Sequence, residues 1–460
     1  MSVIINQNNI CYYIIYDYKN QRVLLEKGDN GIIIPCLCLP HQEIAFFPSY
    51  IPLIIGTIKK VYGLDVIVLR HLDATEVNVH YCEVELIDGK VLESNSHKWY
   101  EVEHLVSVLW EENYQKEFLM SWWNLKDTKT CKFSYSNWEY NGWYEETTQH
   151  IKSLFLKDNI EVTQIEQVKG AWGWSSILKI YTDNCIKYYK KNYLKPPSEI
   201  SIIRLLSEKW HNNLPTIIYG DEIDDWFIMD DFGGEPLEIM NNAEKHKAIK
   251  LYADMQIYSY KILEQFKEIG CLNLTLPNVL MYFKDMLGHF KNWMSEEQLS
   301  SDMMVEWLQN EIGTLSGIST IPYTLHNEDF REGNIVVSEN NIVIYDWKNV
   351  VISHPFFSIQ YFFRRLNLGK NSYLEQNLLT TYLQQWHEFG SMRQLYKVYG
   401  TIELLSEVYN VVRCFLDLKY LNKSTQWYKN THTHIMQCIK NICAAVEKEN
   451  NRNEESLKCV

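Results

Sequence analysis

Between residues 165 and 232 the apolar residues fall in short β-branched and aromatic runs broken by turn-forming pairs, whereas from 240 to 460 they favour helical spacing. Alternating short runs read as strands and a recurrence near 3.6 residues reads as helix. Leu251, Met255, Tyr258, Ile262 and Phe266, for instance, step by four, three, four and four, which predicts one buried helical stripe. Strands followed by helices define an α+β chain. A second mixed stretch, 10–115, precedes them. Strands are expected at 12–16, 23–25, 32–34, 66–69, 77–86 and 98–100, and helices at 50–62 and 102–112. Gly63 follows the first helix as a left-handed cap. From 116 to 150 the chain turns rich in Trp and Tyr, and a boundary is expected there. The implied division is 1–115, a linker with a leading helix at 116–150, a strand-rich portion at 151–235 and a helical one at 236–460. After Lys448 a polar, frayed tail is expected.

The chain has 460 residues, enough to bury well over half its unfolded surface without a metal or disulfide staple. Its net charge of −14 argues against a general nucleic-acid binder, which needs clustered cations to displace counterions. That charge suits a cationic small substrate, though only weakly, because acidic chains are often acidic for solubility. Eleven cysteines without a C-x-x-C pair read as reduced thiols. No signal-peptide pattern opens the chain and no apolar run approaches the ~20 residues of a membrane span. A cytoplasmic protein with neither membrane nor nucleic-acid partner is expected. The oligomeric state is not legible.

The segment 324–334, Thr-Leu-His-Asn-Glu-Asp-Phe-Arg-Glu-Gly-Asn, is followed by Asn-Ile-Val-Ile-Tyr-Asp-Trp at 341–347. It reads as a polar loop and a hairpin, with strands at 335–337 and 342–344 and a turn at 338–340. Asp346 falls just past one strand, while Asp329 and Asn334 lie on the loop feeding the other. Their carboxylate and amide oxygens are the donors a hard cation such as Mg²⁺ prefers. Against this stands the bland reading that Asp329 and Asn334 cap a turn.

This segment resembles the aminoglycoside phosphotransferase family, a branch of the protein-kinase-like fold, whose catalytic loop is H-G-D-x-x-x-G-N and whose metal strand ends in D-W. The resemblance implies that Asp329 is the catalytic base and that Asn334 and Asp346 hold Mg²⁺ against the phosphates of ATP. Asn327 replaces the family's loop histidine, and His326 stands one position early. A local adjustment is therefore expected.

Upstream, 179–181 and 185–190 around the turn 182–184 read as a hairpin, and Pro196-Pro197-Ser198 reads as a helix start. Glu199, Ile202, Ile203 and Leu206 share one helical face, so Glu199 is expected to be buried and to need a partner. The resemblance supplies a strand lysine near the phosphates, Lys190, with Lys187 a real competitor. It also places Ser175 and Ser176, at the end of Gly170–Ser176, near the phosphates. The hairpin 216–219 and 226–229, ending in Asp230-Asp231-Phe232-Gly233-Gly234, resembles the family's adenine-binding hinge, with Met229 and Asp231 as contacts. The order of strands at 10–115 is similar to the Nudix hydrolase fold. Setting Gly63 on that family's box glycine leaves Gly56, Thr57, Lys60 and Val61 where its Arg and three Glu belong, so diphosphate hydrolysis is not expected. The resemblance thus implies a bilobal kinase-like phosphotransferase behind a Nudix-like domain. It would move the γ-phosphoryl group of ATP, with Mg²⁺, onto a small-molecule hydroxyl. An inactive kinase-like binding protein is the alternative.

Overall fold

The structure is a computed structural model that describes residues 9–39, 50–72, 79–88, 96–127, 138–170, 175–183, 185–339, 341–366, 372–421 and 426–458. The chain divides into two compact units. One comprises Met1–Leu194 with Ile218–Gly220 and Asp225–Asp231; the other comprises Lys195–Ile217, Asp221–Asp224 and Phe232–Val460.

The first unit begins β1 (Asn9–Asp17), β2 (Arg22–Lys27), β3 (Ile32–Ile33), β4 (Cys36–Leu39), α1 (Ile51–Tyr62), β5 (Asp65–Leu72), β6 (Val79–Asp88) and β7 (His97–Glu101). These strands form a seven-stranded sheet along β3-β2-β1-β6-β5, with β4 also on β1 and β7 on β2. β1 runs parallel to β6, and its residues alternate between two cores. Cys11, Tyr13 and Ile15 meet Ile51, Ile54 and Ile58 of α1. Tyr12, Ile14 and Tyr16 meet Trp110 and Trp122 on the other face. Burial on both faces is why β1 reads as an unbroken apolar run. α1 ends at Gly63, whose φ of 72° lets its N–H reach the Lys59 carbonyl.

The helix expected at 102–112 is instead a 3₁₀ turn over Val102–Ser107. Val108 is extended, and the chain leaves the turn to bridge Trp110 to Ile32, with Ile32 N–H donating to Leu109 and Glu111 N–H donating to Ile32. Two helices follow, α2 (Asn113–Asp127) and α3 (Trp143–Lys157). The strand-rich portion supplies β8 (Val162–Lys169), β9 (Ser175–Thr182) and β10 (Ile186–Asn192). Then come α4 (Glu199–Trp210), β11 (Ile217–Asp221) and β12 (Trp226–Asp230). The five strands order as β11-β12-β10-β9-β8. Buried Gln167 of β8 hydrogen-bonds both the N–H and the C=O of Val68 on β5, each at 2.9 Å, and so covers the edge of the larger sheet. Expected positions 171–174, 184 and 340 lie outside the described residues.

The second unit continues with β13 (Glu235–Pro236), α5 (Asn242–Ser259), α6 (Leu263–Glu268), β14 (Leu272–Asn273), α7 (Leu276–His289), α8 (Lys291–Glu296) and α9 (Ser301–Ile318). It ends with β15 (Thr324–Asn327), β16 (Ile335–Ser338), β17 (Asn341–Ile344), β18 (Val350–Ser353), α10 (Phe356–Leu366), α11 (Tyr373–Gln385), α12 (Met392–Leu418) and α13 (Gln426–Lys458). Two three-stranded sheets, β13-β16-β17 and β14-β18-β15, flank the loop at 328–334. Ser198 caps α4 by accepting from Ser201 N–H, and Glu199, Ile202, Ile203 and Leu206 are all buried as their spacing requires. The stripe through α5 differs from expectation. Leu251, Tyr258 and Ile262 are only partly buried, and the helix gives way to a 3₁₀ turn at Tyr260–Ile262. Its buried face carries Tyr252, Met255, Gln256 and Ser259, three of them polar. The tail after Lys448, expected to fray, is helical in α13 as far as Lys458. No described helix is long and apolar enough to cross a membrane.

Candidate active site

In the second unit β15 delivers the chain into the loop, and β16–β17 return it to Asp346. Asn327, fully buried at the end of β15, ties the two ends together. Its Oδ1 accepts the Asp329 N–H at 2.9 Å, and its Nδ2 donates to the Asp346 carbonyl at 3.2 Å. Its own N–H donates to the Tyr252 hydroxyl at 2.9 Å. The residue standing where the resembled family has histidine is thus the brace of the loop. His326 faces the other way, with Nδ1 against the Ser358 hydroxyl at 2.5 Å. Burial, then Arg413 and His354, push its imidazole down to about 3, so it is a neutral core residue.

Asp329 and Asn334 are brought into direct contact. The Asn334 Nδ2 donates to the Asp329 carbonyl and to its Oδ2, each at 2.9 Å. Asn334 in turn accepts the Tyr345 N–H at 3.0 Å through its carbonyl, which ties the loop to the approach to Asp346. Asp346 has a φ of 63°, a left-handed conformation that Asp tolerates better than most side chains. The next residue, Trp347, holds it there: its N–H donates to Glu199 Oε1 at 2.9 Å, and its indole donates to the Ile344 carbonyl at 2.8 Å. Glu199 is therefore seated beside the Asp346 turn.

Two residues that motif reading missed also reach Asp329. The Tyr361 hydroxyl of α10 donates to Asp329 Oδ1 at 2.9 Å, and Arg331 Nε lies 3.2 Å from the same oxygen. Burial and the Asp329 carboxylate push the Tyr361 phenol up to about 12, so it stays a donor. Arg331 could have been suspected from its place two residues after Asp329, whereas nothing in the sequence couples Tyr361 to the loop. Glu328 is spoken for: it accepts from Tyr409 at 2.7 Å and pairs with Arg413, which pairs with Asp417. This buried ion pair anchors the loop from beneath.

The donor set fits a hard cation. With Nδ2 committed to Asp329, the side chain of Asn334 offers only its amide oxygen, and the partly buried Asp346 adds a carboxylate. Among the described residues no cluster of three or more His, Cys, Asp or Glu stands ready to bind a metal. An ion here would need further oxygens from its ligand.

The remaining candidates, Lys190, Ser175, Ser176, Met229 and Asp231, belong to the first unit. Lys190 is buried on β10, opposite Ile177 and Phe227. Lys187 and Lys191 alternate onto the other face; Lys187 pairs with Asp230, and Lys191 is buried. Ser175 and Ser176 are both buried, and the Ser176 hydroxyl donates to the Lys169 carbonyl at 3.2 Å, a bond that binds it into the sheet. Met229 is buried on β12, and Asp231, just past that strand, is exposed.

No family profile matches the chain, and no curated protein matches it in sequence. Among solved structures, its backbone is similar to that of an ethanolamine kinase from Plasmodium vivax, with 13% identity and a TM-score of 0.49 over 73% of this chain and 96% of that one. A choline kinase from Cryptosporidium parvum shares 15% identity, with a TM-score of 0.41 over 64% and 96% of the two chains. A macrolide 2'-phosphotransferase from Brachybacterium faecium shares 8% identity, with a TM-score of 0.44 over 62% and 97%. These are partial overlaps in chain course between small-molecule phosphotransferases and this protein, and no residue role is carried over from them.

Proposed function

We propose that this protein is a phosphotransferase that moves the γ-phosphoryl group of ATP onto the hydroxyl of a small molecule, with Asp329 as the base. One observation carries the reading: a single buried amide, Asn327, fixes both the Asp329 backbone and the Asp346 carbonyl, while Asn334 is locked onto the Asp329 carboxylate. A mere turn cap would not need two chain segments cross-braced in this way.

Asp329 keeps room for an acceptor. A carboxylate has about four lone-pair positions; Tyr361 and Asn334 occupy one on each oxygen, and Arg331 adds its charge at 3.2 Å without a hydrogen bond from Nε. A remaining position would accept the substrate hydroxyl, orient its oxygen and take its proton as the bond to phosphorus forms. Asn334 and Asp346 would hold Mg²⁺, which supplies charge neutralisation to the phosphates. Lys190 and Glu199 would serve the nucleotide, Lys190 by contacting the phosphates; Ser175 and Ser176 would line the phosphate loop, and Met229 and Asp231 would meet adenine. The module at 1–115 would be Nudix-like in fold and without hydrolase chemistry.

The test is transfer of labelled phosphate from ATP across a panel of hydroxylated metabolites, with Asp329→Ala as control. Label transfer that survives in Asp329→Ala would refute the role of the base. Asp346→Asn should weaken the use of Mg·ATP, and unchanged metal dependence would remove Asp346 from the site. That both Asp329 oxygens are already engaged favours one other reading, nucleotide binding without transfer. Saturable Mg·ATP binding with no product from any acceptor would select it.

A further inference from the structure

We propose that the acceptor is an anionic alcohol, a hydroxyl compound carrying a carboxylate or a phosphate, recognised by Arg331, Arg364 and Arg365; this rests on the phosphotransferase reading. The net charge of −14 suggests a cationic substrate, but the charge beside Asp329 has the opposite sign. Three of the chain's nine arginines gather there. Arg331 Nε is 3.2 Å from Asp329 Oδ1, and the Tyr361 hydroxyl binds that same oxygen. On α10, three and four residues after Tyr361, the guanidinium carbons of Arg364 and Arg365 each lie 5.7 Å from the centre of its ring.

Two of the acids near them are engaged elsewhere. Glu328 is buried against Arg413, and Glu332 is paired with Lys245. Glu407 pairs with Arg364 at 3.7 Å, and Glu238 lies with Arg331 against Gly333, so these two acids offset part of the charge and leave Arg365 as the cation open to a ligand. Arg365 is exposed and has no carboxylate partner among the described residues. A polycationic acceptor brought to Asp329 would face guanidinium groups with few carboxylates left to receive it. An acceptor bearing a carboxylate or phosphate would meet the planar fork that binds such groups in pairs of hydrogen bonds. The Tyr361 ring, fixed by its bond to Asp329, sets the distance between the hydroxyl to be phosphorylated and the charge to be held.

The test uses the full-length protein with glycerate and glycerol 3-phosphate as the two anionic probes. Glycerol is the neutral probe, and ethanolamine and neomycin are the cationic ones. Binding is read calorimetrically without nucleotide, and transfer is read with labelled ATP. Glycerate or glycerol 3-phosphate should bind more tightly than glycerol, and which of the two does so identifies the anionic group. Arg365→Ala, a surface change that should leave folding intact, should raise the acceptor KM roughly tenfold, the usual worth of a hydrogen bond to a charged group, and leave the KM for ATP alone. Arg365→Glu should shift preference towards ethanolamine. Preferential transfer to ethanolamine or neomycin in the unaltered protein would overturn the proposal and leave the kinase reading standing. A changed KM for ATP in place of the acceptor KM would also overturn it, by assigning the arginines to the nucleotide. Anion binding that is lost in Arg365→Ala, with no transfer to any probe, would keep the anion site and defeat the kinase reading instead.

Discussion

Asn327 shows how one residue can decide whether a loop is built for chemistry. Its side chain satisfies an N–H and a C=O that lie two and nineteen residues away. Asn327→Ala would leave both groups unpaired, at a cost of about 1–3 kcal/mol. It should therefore lower the unfolding midpoint and slow turnover together. Asp329→Asn should slow turnover by roughly 10²–10⁴-fold with a smaller loss of stability, since it removes the base but keeps an oxygen to accept from Tyr361. Chemical denaturation run beside turnover separates the two; equal losses in both variants would contradict this division of labour. The buried histidines add a pH dependence. His326 and His354 are both held near 3 by burial, against an unfolded value near 6.5. The unfolded chain then takes up protons that the folded one refuses, so stability is complete above about pH 6.5 and falls as the pH drops towards 3, by up to ~1.4 kcal/mol per pH unit for each histidine. His326→Gln should flatten the slope of unfolding free energy against pH between 4 and 6.5. An unaltered slope would mean that His326 is not the group responsible.

At the scale of elements, some of the site can be read directly and some cannot. The hairpin of β16 and β17 is legible because β-branched runs flank a short polar turn, and the buried face of α4 is legible because four side chains repeat at helical spacing. The face of α5 is not. Tyr252, Gln256 and Ser259 are buried because Ser358, Leu325, Pro355 and Tyr382 meet their polar ends, and a count of apolar residues cannot see a polar group that will find a partner. Tyr361 is hidden for a similar reason, since its bond to Asp329 joins helix to loop across 32 residues. Glu199 links the two kinds of case. Its burial follows from its place on α4, but its bond to the Trp347 N–H depends on tertiary structure. Glu199→Gln keeps an acceptor for Trp347 and removes the charge. If the Glu199 charge serves nucleotide use, this change should raise the KM for ATP several-fold while leaving the unfolding midpoint nearly in place. If the KM for ATP is unmoved, the Glu199 charge has no part in nucleotide use.

For the whole molecule, the way the chain weaves between its units constrains how it can be divided. The first unit is not one continuous stretch, because it takes back Ile218–Gly220 and Asp225–Asp231 after the chain has entered the second. Those returning segments carry most of β11 and all of β12. β12 pairs with β10 from Lys187 opposite Asp230 to Lys191 opposite Trp226. A fragment ending at Leu194 would therefore expose β10 along a side where Tyr189 and Lys190 are buried in the intact protein. It would also leave Lys187 without Asp230. An open strand with buried side chains is a template for aggregation. Residues 1–194 expressed alone should collect in the insoluble fraction, whereas the full-length chain, which keeps β12 on β10, should be soluble. The division at 1–115 makes a different demand, because β5 of that portion has its edge covered by Gln167. Gln167→Ala removes that cover and should lower the unfolding midpoint of the full-length chain by a few degrees, the effect of about 1–3 kcal/mol lost from two unpaired backbone groups. A midpoint that does not move would mean that the first sheet is held without its neighbour.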